Sequence, residues 1–353
     1  MLAKKQSTNP IILHIIVPLL RLVSNASPTE KDLSNKATSI LRTRLSQAKD
    51  VPSTADAKTC STILNEIHAF ARRAPSIEFS QICSSCSIFV FRTLDASAPT
   101  SNAALDAYRA TLTDYMSRKT SSVHPVFIND LLKRYPVRAF PLAADLLRHA
   151  AGENVKKLYN QTQAYSMLTF FSQQLNTLSK ALPRETVIDF VRSSVQTTYT
   201  LLEKTPAAGS EWDASRIREV IRFALHLARS SKAAFGEEII AEVWDTARLD
   251  KLVQAFQTEE RTANMKGVQN DIRQLKAVLV LKADKEQTKK GKKLQKRKAG
   301  EEADEADKMD LDEPEVAPAK ETKPKAKKAK ANGDAPAKKR KVKAEKAEKA
   351  KAE

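Results

Sequence analysis

Glycine is scarce in this chain, with only seven among 353 residues. A P-loop needs two glycines five residues apart before Lys-Ser or Lys-Thr, and a dinucleotide-binding turn needs three within six residues. Only a residue without a Cβ lets the backbone come that close to a phosphate. The seven are Gly152, Gly209, Gly236, Gly267, Gly291, Gly300 and Gly333. No two are close enough for either loop, so the sequence excludes both.

Cysteine and histidine are also few, and they form no recognisable site. Three cysteines give no disulfide framework, and an odd number favours a reducing compartment. Cys83 and Cys86 have zinc-binding spacing, but a structural zinc needs four ligands and Cys60 is the only other cysteine. We interpret the pair as small apolar residues of a buried helix. The five histidines occur singly, at positions 14, 68, 124, 149 and 226. We predict no metal, no cofactor and no catalytic residue.

Aromatic residues stop at Phe256, and from Lys282 onward the chain has 24 basic and 16 acidic residues. Such a segment cannot bury enough apolar surface to offset its ordering entropy. We predict a folded body, residues 1–281, and a disordered tail, residues 282–353. The body keeps a net charge of +10, so it is basic in its own right. The carboxylates Asp310 and Asp312 fall in the tail, where nothing rigid would hold two metal ions.

An apolar run near the start, Ile11 to Val23, is too short to cross a bilayer. With Lys4-Lys5 before it, the run could mimic a secretory signal. The interpretation we favour is a buried helix kinked at Pro18. We predict no contact with a membrane.

The body has helical periodicity almost throughout. Apolar residues recur three and four residues apart and no strand-like alternation is present. The clearest runs are Leu33, Ala37, Ile40, Leu41 and Leu45; Ile63, Ile67, Phe70, Ala71 and Ala74; Ile217, Val220, Ile221, Ala224, Leu225 and Ala228; and Leu249, Leu252, Val253 and Phe256. Ser27-Pro28-Thr29-Glu30 has the pattern of a helix start. The sequence predicts an all-α fold.

Prolines divide the first half at a nearly constant interval, at positions 28, 52, 75, 99 and 125. Each interval holds one helix and one turn, and two intervals approach the roughly 40–47 residues of a HEAT or armadillo unit. We therefore predict a HEAT/armadillo-like α-solenoid, with a change of register around residues 125–141, where the spacing alters. The alternative is an irregular helical bundle whose prolines merely start helices.

The tail alternates basic and acidic blocks, with nine acidic residues between Glu301 and Glu315. One basic block is predicted to direct nuclear import, because an extended run of cations suits an acidic receptor groove; its cations are Lys338, Lys339, Arg340 and Lys341. The alternative is a solvated basic arm.

Basic residues of the body are grouped, and three of them share one face of a predicted helix. Stripes of this kind on successive helices could follow a nucleic-acid backbone or an acidic partner. The candidate nucleic-acid-binding residues are Arg218, Arg222 and Arg229 in the body and Lys292, Lys293, Lys296, Arg297 and Lys298 in the tail. Other groups are Arg42/Arg44, Arg72-Arg73, Arg118-Lys119, Lys133-Arg134/Arg138 and Lys156-Lys157. The alternative is that these are solvated faces with aliphatic stems on apolar neighbours.

Two stretches resemble the fungal DNA polymerase V (polymerase phi) and Myb-binding protein 1A family: residues 33–45, LSNKATSILRTRL, and residues 116–136, from Met116-Ser117-Arg118-Lys119 to His124-Pro125-Val126-Phe127 and Tyr135-Pro136. The resemblance covers about residues 10–150. It implies a HEAT/armadillo-like array corresponding to the C-terminal part of longer nucleolar proteins linked to ribosomal DNA, rRNA synthesis and ribosome assembly.

The function we expect is that of a nucleolar, non-enzymatic factor in rRNA transcription or ribosome biogenesis. Its expected partners are rDNA or rRNA, bound largely without sequence preference, a nuclear import receptor, and ribosome-assembly or transcription proteins. One alternative is DNA polymerase activity, which the family name implies although no polymerase motif is present. The other is a chromatin or transport adaptor.

Overall fold

A computed structural model describes residues 8–45, 47–207 and 209–280, except for the side chain of Arg44. Within these ranges the fold consists of helices and turns, with no strand. The all-α prediction is confirmed. The boundary after residue 281 and the tail, including its candidate binding and import residues, lie outside the described residues.

The helices are numbered here in chain order. The first nine are α1 (Ile11–His14), α2 (Ile16–Asn25), α3 (Lys31–Ser39), α4 (Ala57–Ala71), α5 (Ile77–Ser97), α6 (Ala103–Ser117), α7 (Pro125–Arg134), α8 (Pro136–Ala139) and α9 (Ala143–Ala150). The next eight are α10 (Leu158–Gln173), α11 (Leu175–Ala181), α12 (Arg184–Lys204), α13 (Ala214–Phe235), α14 (Glu237–Val243), α15 (Thr246–Thr258), α16 (Glu260–Ala263) and α17 (Lys266–Leu279). Short 3-10 turns (Pro28–Glu30, Phe140–Leu142) and a π-helical segment (Ile40–Leu45) complete the list.

The longer helices form two rows that pack against each other. One row contains α4, α6, α9, α12 and α15, and the other contains α5, α7, α10, α13 and α17. Each helix of the first row is followed in the chain by its partner in the second, and the pairs stack in order. The first helices of the first four pairs begin at residues 57, 103, 143 and 184, an interval of about 40–46 residues, within or close to the HEAT range. The body is an α-solenoid, as predicted.

The prolines mark helix starts, as the sequence predicts. Pro28 begins a 3-10 turn that leads into α3, and Pro125 is the first residue of α7. Pro52, Pro75 and Pro99 precede α4, α5 and α6. Proline suits the positions of Pro28 and Pro125 because the first turn of a helix has no partner for its N–H groups. In the region 125–141, two short segments are inserted and the pairing of helices then continues.

The apolar run near the start is buried as two helices. The chain breaks between α1 and α2 at Ile15, three residues before Pro18. Pro18 has no N–H to donate to the carbonyl of His14, and its ring crowds that carbonyl, so the break has a steric cause. Leu13, Ile16 and Leu20 are almost fully buried. The part of the chain that the structure describes has no helix long and apolar enough to span a membrane.

One residue of the predicted core is exposed in the structure. Leu33 is 53% exposed, so it is not part of the apolar face that Ala37, Leu41 and Leu45 form. The cause lies in the packing: the apolar face of α3 turns towards the core only at its C-terminal end, where the π-helical segment packs on α5. The three cysteines are buried and free, and burial raises the pKa of the Cys86 thiol to about 12. Cys83 and Cys86 therefore act as small apolar residues of a buried helix, as predicted.

His68 links four helices in the first half of the core. It lies on α4 and is fully buried. Its ring nitrogens are 2.8 Å from Thr111 Oγ1 on α6 and 3.1 Å from Ser87 Oγ on α5. The ring also packs edge-on against Tyr108 and Phe127, the latter on α7. Burial, assisted by the charge of Arg72, lowers the pKa of His68 to about 3, so the ring is neutral in the folded protein.

This burial predicts a pH dependence of stability. Because the unfolded chain protonates His68 near pH 6.5 and the folded chain only near pH 3, the unfolded state binds more protons between these values. The His68 contribution to stability is complete above pH 6.5 and is lost as the pH falls towards 3. Between pH 6.5 and 5, we expect His68 alone to lower the free energy of unfolding by about 1.5 kcal/mol.

Urea unfolding followed by circular dichroism measures this effect. His68→Gln should flatten the dependence on pH over this range, whatever its effect on stability at pH 7. The control is His14→Gln, because His14 is exposed. An unchanged pH dependence in the His68 variant would contradict the neutral, buried ring.

Candidate nucleic-acid interface

The three candidate arginines of the body lie exposed on α13, but their surroundings differ. Arg218 Nε donates to Asp271 Oδ2 of α17 at 3.1 Å, which joins two successive helices of the second row. Its guanidinium lies against Gly267, where an added Cβ would come within 2.6 Å of Nη2. The charge of Arg218 is therefore partly neutralised by an ion pair that joins α13 to α17.

The other two arginines lie further along the same helix. Arg222 pairs with Glu219 of α13 at 2.7 Å, whereas Arg229 forms no ion pair with any described residue. Between them, His226 has a lowered pKa, first because it is partly buried and second because Arg229 and Arg222 repel its charged form. The C-terminal part of this stripe therefore has a positive potential, with Arg229 as its unpaired cation.

A larger basic surface lies at the turns between the two helices of each pair. These five connections, which we call turns, cover the described residues of 72–76, 118–124, 151–157, 205–207 with 209–213, and 259–265, the last of which contains α16. The third turn contacts the end of α6, where the Lys156 amide donates to the Met116 carbonyl at 3.1 Å. The fourth and fifth turns contact each other, since Arg261 Nη1 donates to the Trp212 carbonyl at 2.8 Å. Ala151 and Ser210 line one small pocket between the third and fourth turns. The turns thus follow one another along one edge of the solenoid.

The first three turns each carry two adjacent cations, and we call this surface the basic edge. Its residues are Arg72, Arg73, Arg118, Lys119, Lys156 and Lys157. The carboxylates on these turns and in the adjoining helix ends are Asp114, at the end of α6, Glu153, in the third turn, and Glu78, in the first turn of α5. Further along, the fourth and fifth turns carry Glu211, Asp213, Glu259 and Glu260. Positive charge is therefore concentrated at the first three turns.

The first two turns enclose a groove of about 400 Å³. Its lining residues are Ala69, Arg72, Arg73, Asp114, Arg118, Thr120, Ser121 and Ser122. Asp114 accepts from Arg118 at 2.8 Å and from Ser121 at 2.7 Å, so one arginine is neutralised. Arg73 is exposed and Arg72 is half-buried, and neither forms an ion pair with a described residue. Guanidinium groups and hydroxyls are the donors that bind phosphate in proteins.

The sequence shows each of these basic pairs but does not show that they are neighbours in the fold. Arg72-Arg73, Arg118-Lys119 and Lys156-Lys157 are about 40 residues apart in the chain, and only the stacking of helix pairs makes their turns neighbours. A usable signal was present, because two of the basic pairs directly follow a first-row helix. The other candidates, Lys292, Lys293, Lys296, Arg297 and Lys298, lie outside the described residues.

A second groove, mainly apolar and about 590 Å³ in volume, lies where α9 is short. With only eight residues, α9 leaves space between α6 and α12 that Leu105, Phe140 and Phe190 line. Within the described residues, no group of three or more His, Cys, Asp or Glu side chains could hold a metal ion.

Two stacked rows of helices with exposed, charged turns define a helical-repeat scaffold. The sequence model of the family described as "Myb-binding protein 1A-like, TPR repeats" matches residues 6–279, and the chain belongs to this family. The match extends well beyond the roughly 150 residues on which the sequence resemblance depends. The helix pairs here are longer than the 34 residues of a typical TPR unit. No curated protein and no solved structure matches the chain significantly.

The different surroundings of Arg218 and Arg229 predict different effects of substitution. We expect Arg218→Gln to lower the free energy of unfolding by about 0.5–1 kcal/mol, because it removes a partly exposed inter-helix ion pair. Arg229→Gln should change it by less than about 0.5 kcal/mol and should weaken binding of a duplex oligonucleotide more than Arg218→Gln does. Urea unfolding and fluorescence anisotropy measure the two effects. The expectation would be wrong if Arg218→Gln reduced affinity as much with no loss of stability.

Proposed function

We propose that this protein is a nucleolar, non-enzymatic scaffold that binds rDNA or rRNA through its basic edge and its tail, in rRNA transcription or ribosome biogenesis. The helical-repeat family membership supports a scaffold role. The observation that carries nucleic-acid binding is the basic edge itself: six cations on three successive turns, with three carboxylates on these turns or in the adjoining helix ends.

The dimensions of the edge suit a phosphate backbone. Helices in contact pack about 8–10 Å apart, so three successive turns span about 20 Å. Duplex DNA rises 3.4 Å per base pair, so about six base pairs would lie along this length. Lysine and arginine side chains on turns reach phosphates, and contacts to phosphates carry no sequence information. Binding on this surface should therefore be nearly independent of sequence.

The composition of the tail supports two further parts of the proposal. Lys292, Lys293, Lys296, Arg297 and Lys298 would add phosphate contacts, and an import receptor would bind the block Lys338–Lys341. The adaptor alternative differs in its ligand, since an adaptor would bind acidic proteins and not nucleic acid. Polymerase activity would require template-dependent nucleotide incorporation, and no described feature favours it.

The basic edge can be tested by its contribution to salt dependence. Each phosphate contact on duplex DNA adds about −0.9 to the slope of log K against log salt. Arg73→Gln, Lys119→Gln and Lys157→Gln together remove one exposed cation from each basic turn, and none of the three forms an ion pair with a described residue. In the full chain we expect this triple variant to lose about two to three units of slope.

The matched control is Lys31→Gln, Lys36→Gln and Lys251→Gln, which removes the same charge from exposed helix positions away from the edge. Fluorescence anisotropy with a labelled 20-base-pair duplex at several salt concentrations measures both variants. Equal slopes for the two would show that net charge, and not the edge, determines binding. In that case the basic edge would not be the interface.

Nuclear import is predicted to depend on the tail. Replacing Lys338, Lys339, Arg340 and Lys341 with alanine should reduce nuclear accumulation of a fluorescently tagged chain, because the receptor loses its row of cations. The block Lys289–Lys298 should compensate in part. Unchanged accumulation after both blocks are neutralised would show that the body or a partner carries import.

A further inference from the structure

The second basic turn contains three consecutive hydroxyl residues, Thr120, Ser121 and Ser122, directly after Arg118-Lys119. All three line the groove that also contains the side chains of Arg72, Arg73 and Arg118. Hydroxyls in such a place are both phosphate ligands and acceptors of a phosphoryl group. Their individual contacts decide which role each can take.

Ser121 and Ser122 differ in their availability. The Ser121 hydroxyl donates to Asp114 at 2.7 Å and accepts from the Val123 amide at 3.4 Å, so the fold holds it in place. Ser122 is exposed, and its hydroxyl makes no hydrogen bond with a described residue. Lys119 and Arg118, three and four residues earlier, supply the cations that an acidic kinase cleft recognises before an acceptor.

We propose that Ser122 is a phosphorylation site whose phosphate docks onto Arg72 and Arg73 and thereby releases nucleic acid from the basic edge. In the transfer, Ser122 Oγ attacks the γ-phosphorus of ATP held by a Ser/Thr kinase. The new Oγ–P bond replaces the bond to ADP, and the hydroxyl proton passes to the kinase base. The effect on binding depends on the proposed function, whereas docking of the phosphate does not.

The charges in the groove determine the outcome. Three arginines and the carboxylate of Asp114 leave a net charge of +2 in the unmodified groove. A phosphoserine adds about −1.5 to −2 charges at pH 7, which cancels this excess. Because Arg118 already pairs with Asp114, the two arginines without carboxylate partners are the ones left to bind the phosphate. The groove would then attract no nucleic-acid phosphate.

The test uses the full chain with phosphoserine incorporated at position 122 by genetic encoding. Its control is phosphoserine at Ser53, which is exposed and precedes α4, whereas Arg72 and Arg73 follow the other end of that helix. The 15 residues of α4 separate the two places by about 20 Å at 1.5 Å per residue. Both proteins carry the same added charge.

Two measurements are made on each protein. Phosphorus-31 NMR follows the second pKa of the phosphate, normally about 6, without any nucleic acid present. We expect a lower value at position 122 than at position 53, and Arg72→Gln with Arg73→Gln should remove the difference. Anisotropy with the labelled duplex should show affinity about tenfold weaker for phosphoserine 122 and nearly unchanged for phosphoserine 53.

Each outcome is decisive. Equal phosphate pKa values at the two positions would overturn docking on the arginines. A lowered value at position 122 with unchanged affinity would overturn the release of nucleic acid. If the phosphate pKa at position 122 is lowered but the unmodified chain binds no nucleic acid, docking is supported and the proposed function is overturned. Finally, a basic-directed Ser/Thr kinase should phosphorylate Ser122 in the unmodified chain, and peptide mapping by mass spectrometry that shows no phosphate on Ser122 would overturn the choice of acceptor.

Discussion

Stacking of helix pairs is the constraint on which the rest of this structure depends. A single pair of helices leaves an apolar face uncovered, so each pair must pack on the next. His68 shows the constraint in the first half, where one buried ring contacts residues of α5, α6 and α7. Two successive pairs in the second half are joined in the same way, since the rings of Tyr165 on α10 and Phe223 on α13 pack with centroids 5.7 Å apart. Because packing occupies the helix faces, the turns at the edge are left to carry charge.

The cations of these turns have two separate physical causes. Arg72-Arg73 and Arg118-Lys119 follow the C-termini of α4 and α6, where positive charge stabilises the helix dipole. Helix stability alone could therefore account for four of the six. Lys156 and Lys157 instead precede the N-terminus of α10, where the same dipole disfavours positive charge. These two lysines destabilise the helix that follows them. The third turn is therefore better evidence for an anionic ligand than the first two turns are.

The sequence predicts the order of elements better than their contacts. Proline spacing and apolar periodicity predict the helices of the first half, because both are local properties of the chain. The same periodicity misplaces Leu33, since nothing local shows that α3 meets the core only at its end. The pairing of Arg218 with Asp271 joins residues 53 positions apart, and the basic edge joins three distant turns. Both depend on how the pairs stack, which periodicity does not specify.

Some cations on helix faces pair with carboxylates of other helices, whereas Arg118 is the one cation of the first three turns that forms an ion pair with a described residue. On helix faces, carboxylates of the neighbouring helix are within reach, and Arg218, Arg192 and Arg248 all form ion pairs that join successive repeats. On the first three turns, Arg73, Lys119 and Lys157 have no carboxylate partner among the described residues. A stripe of basic residues along one helix is therefore weaker grounds for a binding surface than the same number of cations on successive turns. In a stacked array, the helix faces meet other helices, and the turns are left accessible to a ligand.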